Sequence, residues 1–182
     1  PLTWTSVSDW RGKVPLTDRE NVFHIAGFDH RGEQVSEGED RITVNYSGTA
    51  QDPADYLVIN ELMYHPAVSG AGFVELFNRS QTHSFDLTGY LLNGAGFEFA
   101  PGSVLGPQDY AVVVSDRQVF SEIYGRNVAI AGEFSGRLAN DGETISLIDR
   151  SSPDGMDRVI DEVTFEDRLP WPELADGQGA SL

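Results

Sequence analysis

The side chains of this 182-residue chain best suited to chemistry are four histidines, 29 carboxylates and three tryptophans; cysteine is absent. Without a thiol there are no disulfides, thiol nucleophiles or cysteine-based zinc sites. The histidines are His24, His30, His65 and His83. Glu61 and His65 stand four residues apart, a spacing that lets one helix face offer two ligands to one metal. The surrounding segment reads as a strand, where four residues span about 13 Å, too far for a shared ion. His65 precedes Pro66 and is expected to end that strand and start a loop. Gly132-Glu133-Phe134-Ser135-Gly136 misses the nucleophile-elbow spacing by one residue. Gly94-Ala95-Gly96 lacks the continuation of a dinucleotide fingerprint, and no Walker loop occurs. The carboxylate pairs Glu39-Asp40, Asp161-Glu162 and Glu166-Asp167 read as solvated edges or turns, and nothing marks a cleft between two of them. No catalytic residue, cofactor site or metal ligand is assigned on this basis.

Two groups of residues are candidates for binding. Asp149, Asp154 and Asp157 surround Ser151-Ser152-Pro153 and offer hard oxygen ligands from one loop, a possible Ca²⁺ site without the EF-hand spacing. The alternative is an ordinary polar hairpin loop. Trp171 lies between Pro170 and Pro172, a rigid setting that could present a ring to a sugar. Its structural alternative is a cover over an open sheet edge. Tyr64, His65 and Phe73 flank the glycine-rich loop Ser69–Gly72 and could line a ligand surface, with packing as the competing role. Trp171, Tyr64, His65 and Phe73 are therefore the candidate ligand-binding residues.

Composition narrows the partners. Hydrophobic residues make up 40% and charged residues 23%, as in a folded globular chain. The net charge is −17 and the pI about 4.3, which argues against nucleic acid and anionic membrane surfaces as partners. No apolar run approaches the ~18 residues of a membrane-spanning helix, so membrane insertion is not expected. Lys13 is the one lysine beside 11 arginines. That bias suits a salt-rich medium and equally fits a GC-rich genome. Residues 1–50 hold 8 acids and 5 bases, whereas residues 51–182 hold 21 and 7. Repulsion between such polyanions predicts a monomer at low salt. A start at Pro1, without Met or leader, predicts a piece of a longer precursor.

The elements that must position these residues are strands. The 19 glycines and nine prolines punctuate short apolar runs, the pattern of an all-β protein. Strands are expected over Asn21–Phe28, Arg41–Tyr46, Tyr56–Tyr64, Phe73–Asn78, Tyr90–Asn93, Glu98–Phe99, Tyr110–Ser115, Thr144–Asp149 and Val159–Phe165. One short helix is expected over Asp116–Tyr124, with Asp116 as N-cap and Gly125 as stop. Asn140-Asp141-Gly142 and Ser152-Pro153-Asp154-Gly155 are turn signals. The small polar stretch Ser47–Asp55 predicts a linker, placed at 49–55, between an N-terminal β segment (1–48) and a β-sandwich (56–182).

Several blocks in order resemble the bacterial lamin tail domain, an immunoglobulin-like β-sandwich. They are VINELMYHP (Val58–Pro66), FVELFN (Phe73–Asn78), FDLTGYLL (Phe85–Leu92), FEFAPGSVLGPQDYAVVV (Phe97–Val114), FSGRLANDGETISLID (Phe134–Asp149), VIDEVTF (Val159–Phe165) and PWPELADGQGASL (Pro170–Leu182). Residues 1–48 resemble the last strands of a fibronectin-type or immunoglobulin-like module through Val14-Pro15-Leu16, Asn21–Asp29 and Arg41–Tyr46. The resemblance implies an antiparallel sandwich and a non-catalytic tethering module of a large, secreted or surface-attached bacterial multidomain protein. Its partner would be a protein or glycan at the cell surface. Two alternative roles are a carbohydrate-binding accessory domain of a polysaccharide-degrading enzyme and a calcium-stabilised structural spacer.

Overall fold

The computed structural model describes residues 2–12, 14–16, 19–151 and 155–182. They fall into two compact units, one within Val14–Gln51 and the other built from the described residues of 2–12 and 52–182. The strands in chain order are β1 (Leu2–Trp4), β2 (Trp10–Gly12), β3 (Arg19–Phe28), β4 (Gln34–Tyr46), β5 (Leu57–Met63), β6 (Phe73–Asn78), β7 (Phe85–Asp86), β8 (Tyr90–Asn93), β9 (Phe97–Glu98), β10 (Val104–Leu105), β11 (Tyr110–Val114), β12 (Ile130–Glu133), β13 (Glu143–Asp149) and β14 (Arg158–Phe165). The helices are α1 (Pro53–Tyr56) and α2 (Arg117–Tyr124), with a 3₁₀ turn at Glu173–Ala175.

The smaller unit is a long antiparallel ribbon of β3 and β4, with a bulge near Gly27. Its tip is an Asx turn in which Asp29 accepts from the backbone N–H groups of Arg31 and Glu33. Pairing continues out to Phe28 and Gln34, so β4 begins seven residues before the expected Arg41. Apart from an exposed Val35, the stretch Gln34–Asp40 has no apolar side chain, so there is no alternation to reveal it.

The larger unit is a sandwich of two four-stranded sheets, ordered β12-β11-β6-β5 and β14-β13-β8-β9. Inward side chains of both sheets share one core, including Leu57, Val74, Leu76 and Val113 from the first and Leu92, Ile145, Leu147 and Phe165 from the second. The sheets meet at both margins. On one side the Ile59 N–H of β5 donates to the Asp161 carboxylate of β14 at 2.7 Å. On the other, the Phe97 ring of β9 lies on Gly132 of β12, where an added Cβ would sit 2.2 Å from the ring.

α2 forms where the spacing predicted it. Asp116 accepts from Gln118 N–H and Val119 N–H, and Gly125 ends the helix at a φ of 95°. The helix links β11 to β12, which pair in parallel, because a parallel return needs a crossover. It packs on the outer face of its sheet in a second cluster with Met63, Phe73, Val112, Val114 and Phe120. The strand expected over Tyr56–Tyr64 is shorter. Asp52 caps a helical turn at Pro53–Tyr56 first, a Pro-at-N1 signal that the apolar run obscured. Arg158 of β14 holds the Asp52 carboxylate with contacts of 2.6 and 2.7 Å. These bonds and the Ala54 N–H hold the Asp52 carboxyl below its usual range. The tie is therefore complete at neutral pH and is lost only as pH falls below the ordinary aspartate range.

Asn78, at the end of β6, is fully buried. Its amide nitrogen donates to the carbonyls of His83, Leu105 and Gly106, and its oxygen accepts from the Ser80 N–H. Asn78→Ala strands these groups in the core and is expected to cost about 2–4 kcal/mol, read as a lower denaturant midpoint at constant slope. Gly142→Ala meets backbone: its Cβ would lie 2.6 Å from the Phe165 oxygen, at a φ of 107°. A loss of about 1–3 kcal/mol is expected, and a melting temperature unchanged from wild type would contradict the packing at this turn.

Candidate functional site

A groove of about 520 Å³ opens at the end of β5, between the 65–72 loop and the 134–140 segment. The Tyr64 ring turns inward against Phe165, centroids 4.6 Å apart. Burial, and then the carboxylates of Asp176 and Asp167, push its phenol above the usual tyrosine range, so it remains a protonated donor. His65 follows at the rim. Its Nδ1 lies 2.6 Å from Asp176 Oδ1, and its carbonyl accepts from the Gly177 N–H at 3.0 Å. Gly177 adopts a φ of 74°, and an added Cβ would stand 3.2 Å from His65 Cε1. Any side chain at residue 177 would therefore press on the imidazole.

The floor of the groove is a close approach of backbones. Ser115 N–H donates to the Gly72 carbonyl at 2.9 Å, and its hydroxyl donates to the Gly70 carbonyl at 2.7 Å. A Cβ on Gly72 would lie 3.1 Å from the Met63 oxygen, which accounts for the glycines of the Ser69–Gly72 loop. Asp116 also lines the groove, but its carboxylate is engaged in capping α2. Opposite stand Arg137 and Asn140. Arg137 makes no ion pair among the described residues, although the chain is a strong polyanion.

With Asp176 accepting from Nδ1–H, the imidazole is oriented and Nε2 has no hydrogen bond among the described residues. An Asp–His pair is half of a nucleophilic constellation. The other half is a hydroxyl hydrogen-bonded to the imidazole; Ser115, which lines the groove, donates to Gly70 instead. The described residues contain no group of three or more His, Asp or Glu placed to hold a metal. The groove thus offers hydrogen-bond donors and a guanidinium for holding a polar group.

Of the four candidate binding residues, the groove gathers Tyr64 and His65. Phe73 is buried in the outer cluster, its ring edge-on to Phe120 and Tyr124 at 5.5 and 5.3 Å. Trp171 is half-buried against the main core, in the C-terminal strip that lies along β5. There Leu62 and Leu182 exchange backbone hydrogen bonds of 3.0 and 2.8 Å. In the aspartate loop, Asp149 accepts from the Ser151 N–H and hydroxyl, Asp157 lies 3.7 Å from Arg150, and Asp154 is outside the described residues. Sequence reading missed Asp176, Arg137 and Asn140. Asp176-Gly177 signals a turn, but nothing in the chain marks its meeting with His65, 111 positions away.

The family model of the lamin tail domain matches residues 50–167, well over half of the chain. This chain belongs to the lamin tail domain family. No curated protein and no solved structure matches it. The two-sheet sandwich is the architecture that the resemblance implied. The family match covers the β5–β14 body of this lamin tail domain, including His65, Arg137 and Asn140. The Asp176-Gly177 clamp lies beyond it. A double-mutant cycle with His65→Ala and Asp176→Ala should give a coupling of about 0.5–1 kcal/mol, modest because both side chains are partly exposed. A coupling of zero would mean that Asp176 does not orient the ring.

Proposed function

We propose that this lamin tail domain is a non-catalytic interaction module of a secreted or surface-attached bacterial multidomain protein, and that it tethers a protein partner through the groove. The observation that carries the reading is the chemistry of the groove rim. Arg137 brings a guanidinium, His65 an oriented imidazole and Asn140 an amide; among the described residues Arg137 makes no ion pair and no hydroxyl is hydrogen-bonded to the imidazole. Such a rim suits a segment bearing acceptors, above all a carboxylate, which a guanidinium can grip with two hydrogen bonds. Against a net charge of −17, the Arg137 guanidinium makes the groove rim locally cationic, and the acidic surface repels anions that do not dock there. Protein is favoured over glycan at this groove because none of its lining residues is a tryptophan, and Trp171, singled out as a sugar-stacking candidate, packs against the core.

The test is a peptide array and a glycan array probed with the whole chain. Peptides carrying a carboxylate should bind, and Arg137→Ala should weaken them about 5–20-fold at physiological salt, the scale of a lost charge-assisted contact. His65→Ala should weaken them less. Turnover of any arrayed substrate, or peptide binding indifferent to both substitutions, would contradict the reading. Glycan binding abolished by Trp171→Ala would favour the carbohydrate-binding role.

A further inference from the structure

A second surface lies on the outer face of the β12-β11-β6-β5 sheet, away from the groove. Register determines which side chains point outward. Phe73 pairs with Met63 and Val114, Glu75 with Glu61 and Val112, and Phe77 with Val58 and Tyr110. α2 covers the first of these rows. Val112 of the second row is buried in the same cluster, whereas Glu61, Glu75 and the third row remain partly or largely exposed. Asn60 is the extra residue of a bulge in β5, and bulges often re-aim a side chain. Here its amide donates to the Glu75 carboxylate at 2.8 Å.

Two properties of these rows need explanation. The rings of Phe77 and Tyr110 stack at 4.5 Å and 21°, and Tyr110 is 49% exposed. Beside them, Glu61 and Glu75 are cross-strand partners of like charge, an arrangement that costs stability. Neither forms an ion pair among the described residues, and the outward positions of β5, β6 and β11 hold no Arg or Lys. Glu61 is held by the Ser181 hydroxyl and Glu75 by Asn60, both neutral. Partial burial of Glu75, with Glu61 adding to it, pushes its carboxyl above the usual range. Its ionisation at neutral pH therefore works against folding, and the cost fades as pH falls through that raised value.

We infer that this face is a docking surface for a basic segment of a partner protein, its cationic side chain taken up by the Phe77–Tyr110 stack and the carboxylates of Glu61 and Glu75. Charge complementarity selects this occupant. A cation relieves the carboxylate repulsion and gains from the aromatic face together, whereas a neutral sugar would use the rings and leave the repulsion in place. The inference rests on the chain being an interaction module but uses a surface distinct from the groove.

The probe is a blocked hexa-arginine peptide titrated into the whole chain at physiological salt, where long-range attraction is screened. Cellohexaose serves as the neutral comparison. The double variant Glu61→Gln/Glu75→Gln should bind the peptide about tenfold more weakly, and Tyr110→Ala several-fold, in line with a desolvated cation–aromatic contact. Glu37→Gln/Glu39→Gln in the β4 ribbon removes the same charge and should change binding less than about twofold. Melting curves accompany each variant, and Glu75→Gln should melt at or above the wild-type temperature at neutral pH. Equal losses for the two charge-matched pairs would reduce the effect to general attraction and overturn the inference. So would cellohexaose binding that Tyr110→Ala removes while hexa-arginine binding is unchanged. Arg137→Ala should leave peptide binding intact; loss there would move the cation to the groove and end this assignment, without touching the tethering role itself.

Discussion

The register of β6 is the constraint on which this domain depends. The strand is hydrogen-bonded on both sides, to β5 and β11. Its even positions, Val74, Leu76 and Asn78, face the inter-sheet core; its odd positions, Phe73, Glu75 and Phe77, face outward. A slip of one residue would send Glu75 into the core and Val74 into water. Asn78 opposes that slip. Its buried amide is satisfied only when three carbonyls and one N–H sit where this register puts them. Burial makes the arrangement strict, because an unmet polar group in the core costs more than a met one contributes. The second core under α2 and the acidic-aromatic face both follow from the same parity.

Closure of the sandwich margins shapes the groove. An open sheet invites further strands. Here β5 is covered by β14 through Asp161 and by the C-terminal strip through Leu182. The same strip carries Asp176 to His65. Edge protection and orientation of the imidazole are thus two results of one piece of chain. The clamp is local and partly solvent-exposed, so it orients His65 without anchoring the fold.

The two proposed binding surfaces draw on opposite chemistry. The groove offers an arginine and a histidine within a polyanion, and suits an anionic group. The outer face concentrates uncompensated carboxylates beside stacked rings, and suits a cation. A module with both can hold two different segments at once, an arrangement that links affinity to geometry.

Much of the architecture was legible because it rests on local chemistry. The Asp116 cap and Gly125 stop are read within ten positions, and α2 forms there. The boundaries of β6 and β8 coincide with the expected runs, since alternation and flanking turn residues act over a few positions. Where the local signal was absent or mixed, the reading faltered. The polar half of β4 has no alternation, the Asp52 cap was masked by the apolar run after it, and β12, Ile-Ala-Gly-Glu, has only one large apolar residue to set it apart from its loop. The resemblance supplied the sandwich that these pieces build.

The candidate sites were legible only in part. Tyr64 and His65 stood out beside a glycine-rich loop, and the loop does bring them to a groove. Phe73 and Trp171 were marked by type alone; parity buried Phe73 in the outer cluster and edge packing left Trp171 half-buried against the main core. Asp176, Arg137 and the pairing of Glu61 with Glu75 were invisible, because each depends on which distant segments lie side by side. Composition and spacing thus determined the all-β class, the capped helix, the polyanionic character and the family likeness, all of which depend on residues close in sequence or on sums over the chain. Tertiary structure alone decided which nitrogen of His65 is held, which arginine lines the groove and which carboxylates share a face, since strand pairing is non-local and one residue of register exchanges the inside for the outside.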